Sequence, residues 1–136
     1  ALQVRLARHG VQLGHWTFLR ILWLRDGLTK RELSLEAGLM EPTTFVALRA
    51  MESLGYVTLE RKAPNRKNVY VFLTPLGRQL KDVLVPLAEE VNAIALRTVP
   101  ASDVAATRRC LLAVIENLSR DDMQRSGDEH AGEGDL

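Results

Sequence analysis

Residues 28–57 read LTKRELSLEAGLMEPTTFVALRAMESLGYV. Thr29 and Glu32 have the spacing of a capping box. The Thr29 hydroxyl can accept from the backbone N–H of Glu32, while the Glu32 carboxylate reaches back to the N–H of Thr29. The helix that follows buries Leu33 and Ala37 and stops at Gly38. Only Leu39, Met40 and Glu41 then precede Pro42, whose set φ and missing N–H suit the first turn of a helix. This second helix runs to about Leu54 and puts Phe45, Leu48, Met51 and Glu52 on one face at spacings of three and four. Thr43, Val46, Ala47, Arg49 and Ala50 face the other way, and Gly55 ends the helix. Two short helices joined by a tight glycine-containing turn form a helix-turn-helix unit. Taken alone, a generic helical hairpin accounts for the segment equally well.

Downstream the period changes to two. Val57, Leu59 and Arg61 alternate with Thr58, Glu60 and Lys62, and Val69, Val71 and Leu73 alternate with Tyr70 and Phe72. Both runs are rich in β-branched and aromatic residues, as strands prefer. Ala63-Pro64-Asn65-Arg66-Lys67-Asn68 is the polar, basic turn between them. A hairpin with a basic tip, placed directly after the second helix, makes the unit a winged helix-turn-helix. The fold class expected is mainly α with a small antiparallel β hairpin and a helical dimerisation region.

Outward from this lobe the pattern is helical. Leu2 to Val11 reads as an amphipathic helix, and His15 to Arg25 is apolar nearly all round, so it is expected to be central. Asp26-Gly27 closes it, with Gly27 suited to a left-handed conformation. Thr74-Pro75 opens a long helix whose stripe runs from Leu76 through Leu80, Leu84 and Leu87 to Ile94, with Pro86 expected to kink it. Pro100-Ala101-Ser102 starts a last helix, with Ser102 as the expected cap and Val104, Leu111, Leu112, Ile115 and Leu118 on a wide apolar face. That face exceeds what so small a lobe needs for its own core. A second copy of the chain is its natural cover, as a symmetric homodimer; intramolecular packing is the alternative.

The composition suits one soluble domain rather than two, at 136 residues with 46% apolar and 26% charged side chains. The expected organisation is a single domain over about 1–120. Within it, a DNA-binding lobe covers about 27–76 and dimerisation helices cover about 1–12 and 86–120; residues 121–136 form an acidic, flexible tail. The first 120 residues hold 17 basic and 11 acidic side chains, a net of +6, which is compatible with a nucleic-acid partner. No apolar run approaches the roughly 20 residues a membrane span needs. With no charged-then-apolar leader, a cytoplasmic location is expected. Opening on Ala1 within a helical pattern, the chain is expected to be preceded by a further segment. Cys110, the one cysteine, reads as a small buried hydrophobe, with a redox-sensing thiol as the alternative.

Contacts to DNA divide into those to phosphate, which position the protein, and those to base edges, which specify sequence. The second helix offers Thr43, Thr44, Val46, Ala47 and Arg49. Thr hydroxyls suit base edges or phosphates, and Val, Ala and Thr methyls suit thymine methyl groups. Arg49 is the helix's only guanidinium for a guanine, and the helix has no Asn or Gln for adenine. The wing adds Arg61, Lys62, Asn65, Arg66 and Lys67, and Lys30 and Arg31 at the first helix can meet phosphate. A solvated charged turn is the alternative reading of the wing tip.

With these residues in place, the chain resembles the MarR family of bacterial regulators over about residues 15–118. The resemblance rests on Leu28-Thr29 with Glu32-Leu33, on Met51-Glu52 with Gly55-Tyr56-Val57, and on Leu73-Thr74-Pro75-Leu76-Gly77 after the wing. It implies a helical homodimer whose winged lobes grip pseudo-palindromic double-stranded DNA. Such proteins are typically repressors released by small aromatic or phenolic ligands, or by oxidation. The wing departs from the pattern. Where the family carries Asp-x-Arg, this chain has Asn65 and Lys67 around Arg66, so the acid that braces the groove-entering Arg is missing. Leu59 stands where the family has an Arg, with Arg61 two residues on. The reactive Cys of the oxidation-sensing branch lies near the N-terminal helices, so that mechanism does not carry over to Cys110. His9, His15, Trp16, Arg20 and Trp23 sit where the family often forms a ligand pocket; a tryptophan-rich core is the alternative.

No glycine-rich phosphate loop, nucleophile–His constellation or clustered carboxylates argue for an enzyme, and the three His lack metal-ligand spacing. No cofactor and no metal are expected. A winged-helix module for architecture or protein contact, without ligand response, is the competing function.

Overall fold

The capping box at Thr29 forms as the sequence requires. In the computed structural model, which describes residues 1–62 and 67–131, Glu32 N donates to Thr29 Oγ1 at 3.1 Å and Thr29 N donates to Glu32 Oε2 at 2.8 Å. This box opens α3 (Lys30–Ala37). Gly38 ends the helix in the left-handed region at φ +65°, which any side chain would strain. That turn lets Leu39 N donate to Ser34 O at 3.0 Å. Three residues later α4 (Glu41–Ser53) begins, with Pro42 in its first turn.

Before this pair lie α1 (Leu2–Ala7), α2 (Leu13–Leu24) and β1 (Leu28–Thr29); after it come β2 (Val57–Arg61), β3 (Val69–Leu73), α5 (Pro75–Ala95) and α6 (Ala101–Ala131). The strands form one antiparallel sheet in the order β1-β3-β2. Val57 faces Leu73, Leu59 faces Val71 and Arg61 faces Val69, while Leu28 and Thr29 pair with Val71 and Tyr70. The wing is therefore a three-stranded sheet rather than a hairpin alone. Its third strand is too short for a period to show in sequence, and it exists because Asp26 anchors it. Asp26 Oδ1 accepts from Gly27 N at 3.0 Å and from Leu73 N at 2.9 Å, and Gly27 N also reaches Val71 O.

The chain divides into two units, residues 1–92 and 93–136. The core of the first gathers Leu6, Val11, Phe18, Leu19 and Leu22 with Leu33, Leu48, Met51, Val57, Val71 and Leu84, all at most 1% exposed. The two helices of the helix-turn-helix thus pack on α2, as its nearly all-round apolar sequence demands. Tyr56 ties in the N-terminal turn, its hydroxyl donating to Gly10 O at 2.7 Å.

The start of α5 is seated by backbone contact. Thr74 N donates to Tyr56 O at 3.1 Å, and Thr74 Oγ1 donates to Gly55 O while accepting from Gly77 N. Gly77 lies so close that an added Cβ would stand 2.1 Å from Tyr56 O. The two separated stretches Gly55-Tyr56-Val57 and Leu73-Thr74-Pro75-Leu76-Gly77 are therefore one structural joint. The long helix then passes through Pro86 without interruption.

In the second unit, Pro100 O accepts from Asp103 N and Val104 N, so α6 begins at Ala101. Ser102 lies inside the first turn and is not the cap. The helix runs to Ala131, past the boundary near 120 expected from composition, because ion pairs one turn apart support it: Arg120 with Glu116 at 2.5 Å and Arg125 with Asp121 at 3.0 Å. Leu111, Leu112, Ile115 and Leu118 are all exposed, and Cys110 is exposed rather than buried. Among the described residues no helix is long and apolar enough to cross a membrane.

Candidate nucleic-acid interface

A helix-turn-helix presents the outer face of its second helix, and here that face follows from which residues the core takes. Thr44, Leu48 and Met51 are fully buried, at positions i, i+4 and i+7 of α4. Thr43, Val46, Arg49 and Ala50 are exposed on the other side, and Ala47 is half-buried against the core. Thr44 was expected to reach DNA, and the structure corrects this: its hydroxyl is enclosed by the core and has no hydrogen-bond partner. The signal was present in the sequence, since Thr44 precedes Leu48 by four residues and Met51 by seven.

Arg49 projects from the exposed face, but its Nη1 donates to Glu52 Oε2 at 2.9 Å. Lys30 of α3 lies with Nζ 5.2 Å from the centre of the Phe45 ring, a cation–π contact that joins the two helices at the rim of this surface. Arg31 beside it is exposed.

On the wing, Arg61 shares a sheet face with Val57 and Leu59, and Lys67 is exposed on the approach to β3. Asn65 and Arg66 lie outside the described residues. Lys62 turns to the opposite face. Its Nζ sits 5.1 Å from the Tyr70 ring and 4.8 Å from the Phe72 ring. Basic groups from α3 and from the sheet therefore belong to the same unit as the exposed face of α4.

The residues read as a ligand pocket separate into two groups. Trp16 and Arg20 line one cavity of about 270 Å³ together with Leu2, Val85, Ala88, Glu89 and Asn92. The Arg20 guanidinium stands 5.9 Å from the Trp16 ring centre, over its face. The contribution of α5 carried no local signal in sequence, because it depends on where that helix docks. His9, His15 and Trp23 do not line this cavity. Trp23 packs edge-on to Trp16 at 5.6 Å and donates its indole N–H to Gly77 O at 2.9 Å, a structural role. His15 is buried with Nδ1 unpartnered, and burial pushes its imidazole pKa below the usual value. His9 is exposed. Among the described residues no three His, Cys, Asp or Glu side chains gather as a metal site.

No protein-family model matches the chain. It is 30% identical over 89 residues to the HTH-type transcriptional regulator TtmR of Methylorubrum extorquens, an alignment covering 65% of this chain and 46% of that protein. The chain spans about half the length of the curated relatives it matches. Among solved structures, a MarR transcriptional regulator from Methanosarcina mazei superposes with a TM-score of 0.81 at 24% identity, over 88% of this chain and 86% of that one. A MarR-family regulator from Listeria monocytogenes, complexed with 26mer DNA, superposes with a TM-score of 0.78 at 21% identity, over 93% and 84% of the two chains. The resemblance read from the sequence is borne out, and the chain is a winged helix-turn-helix protein with the fold of the MarR-family transcriptional regulators.

Proposed function

We propose that the protein is a sequence-specific, double-stranded DNA-binding transcriptional regulator, acting as a homodimeric repressor on a pseudo-palindromic operator. One observation carries the reading: the outer face of α4 is free of core contacts on a unit that also displays Lys30, Arg31, Arg61 and Lys67. The DNA-bound Listeria relative, of the same fold, supports it. In this reading α4 enters the major groove, and the basic groups of α3 and the wing, Arg66 included, hold phosphates and the neighbouring groove, with the neutral Asn65 amide as a further donor.

The exposed apolar residues of α6 support the homodimer, since a two-fold pair buries them and presents two recognition helices about one DNA turn apart. Cytoplasmic residence follows from the same reading. The cavity at Trp16 and Arg20 suits a small aromatic acid as effector, with the ring along Trp16 and the carboxylate at Arg20. Glu89, also in the lining, is an acceptor for a phenolic hydroxyl. Binding to a promoter fragment should exceed binding to random DNA by at least a thousandfold and fall steeply with salt. Equal affinity for both DNAs would instead favour an architectural or protein-contact module. Repeating the titration with a panel of aromatic acids and phenols tests the effector, and Arg20→Met should abolish release by the acids.

A further inference from the structure

The face that α4 turns outward carries methyl groups where hydrogen-bonding groups are expected. Thr43, Val46 and Ala50 form an exposed stripe at positions i, i+3 and i+7, with Val46 in the middle and 70% exposed. The helix's one guanidinium, on Arg49, is held by Glu52 at 2.9 Å. Swinging Arg49 toward a guanine gives up this exposed pair, a small cost, and leaves the Glu52 carboxylate beside the DNA, so the pair discounts a bidentate guanine contact. The Ser53 hydroxyl donates back to Arg49 O, and the Thr44 hydroxyl is buried. Glu41, in the first turn, is a carboxylate and suits only the exocyclic amino groups of cytosine and adenine.

Apart from the Thr43 hydroxyl at one end of the stripe, what remains to meet base edges is apolar, and the major groove offers one apolar feature, the C5-methyl of thymine. At about 1.5 Å of rise per residue, the stripe from Thr43 to Ala50 spans roughly 10.5 Å, about three base steps of 3.4 Å. Resting on the DNA-binding reading above, we propose that α4 selects its half-site through thymine methyl groups. Val46 is the central specificity residue, flanked by Thr43 and Ala50. Arg49 contributes little to sequence choice.

The test begins by selecting binding sites for the full chain from a random 30-bp duplex library. The enriched duplex is then made with thymine, or with deoxyuridine at single half-site positions, which removes one methyl and keeps the base pair. Wild type should bind the deoxyuridine duplex about fourfold more weakly for each contacted methyl, the fold-change equivalent of burying one methyl group. In Val46→Ala the loss at the central position should shrink toward none. Any change in duplex shape is felt by both proteins alike and cancels in the cycle. Arg49→Ala should retain the selected sequence. Equal binding of thymine and deoxyuridine duplexes overturns the proposal and leaves DNA binding standing, as does an undiminished loss in Val46→Ala. Selection that enriches no sequence overturns the sequence-specific reading and this proposal together.

Discussion

Replacing Gly77 with alanine tests the joint on which the lobe is built. The new Cβ would lie 2.1 Å from Tyr56 O and 3.1 Å from its carbonyl carbon, and both are backbone atoms that cannot rotate away. Relieving the contact requires the first turn of α5 to lift by about 1 Å, overpacking of the kind that costs roughly 1–3 kcal/mol. Three hydrogen bonds cross that gap: Thr74 N to Tyr56 O, Thr74 Oγ1 to Gly55 O, and Trp23 Nε1 to Gly77 O. Losing them costs about 0.5–1.5 kcal/mol each. Alanine's better helix propensity returns about 1 kcal/mol. The strain and the broken bonds are two descriptions of one displacement, so the expected net loss, where the two agree, is about 0.5–2 kcal/mol. Urea unfolding followed by circular dichroism measures it, and tryptophan fluorescence should report the released Trp23 indole. Gly14→Ala is the matched control. Nothing lies within 4 Å of its added Cβ in the first turn of α2, so the same substitution should stabilise, by up to about 1 kcal/mol. If both variants shift stability in the same direction, the close approach at Gly77 is not what seats α5.

Three further perturbations follow from the same coordinates. Thr44→Val replaces a fully buried, unpartnered hydroxyl with a methyl of similar shape, so the urea midpoint should rise, by about 1 kcal/mol of stability; a fall would mean the hydroxyl has a partner. His15 has its pKa lowered by burial, so the folded state holds it neutral while the unfolded chain takes up a proton as pH falls through about 6.5. Its contribution is whole above that value and drains away as pH falls toward the folded pKa, with a slope of at most about 1.4 kcal/mol per pH unit. A His15→Gln variant should flatten that limb, and identical profiles for the two proteins would exclude His15 as its source. On α6, Ile115→Glu with Leu118→Glu puts two charges into the proposed dimer seam, and sedimentation should then give a monomer. An undiminished dimer mass would place the seam elsewhere.

The sequence by itself determined the elements that local chemistry encodes. The Thr29–Glu32 box, the Gly38 turn, Pro42 in a first turn and the switch to a period of two after Tyr56 each depend on residues within a few positions of one another. Together they identified the winged helix-turn-helix, and the apolar stripe of α6 pointed to a missing cover. Tertiary structure decided whatever joins residues far apart in the chain. Thr43 and Thr44 are neighbours with equal propensity; the spacing of Thr44 to Leu48 and Met51 marks the inward face of α4, and the docking of that helix encloses the Thr44 hydroxyl without a partner. The strand at Leu28–Thr29 has no period of its own and forms because β3 pairs with it and Asp26 bonds across 47 residues to Leu73 N. The cavity at Trp16 and Arg20 likewise waits on the side chains α5 brings from Val85 to Asn92. Propensity and capping are nearest-neighbour energies and can be read from the string of letters. Which face is buried, which cation is already paired and which walls meet are packing energies, which exist only once the chain has closed on itself.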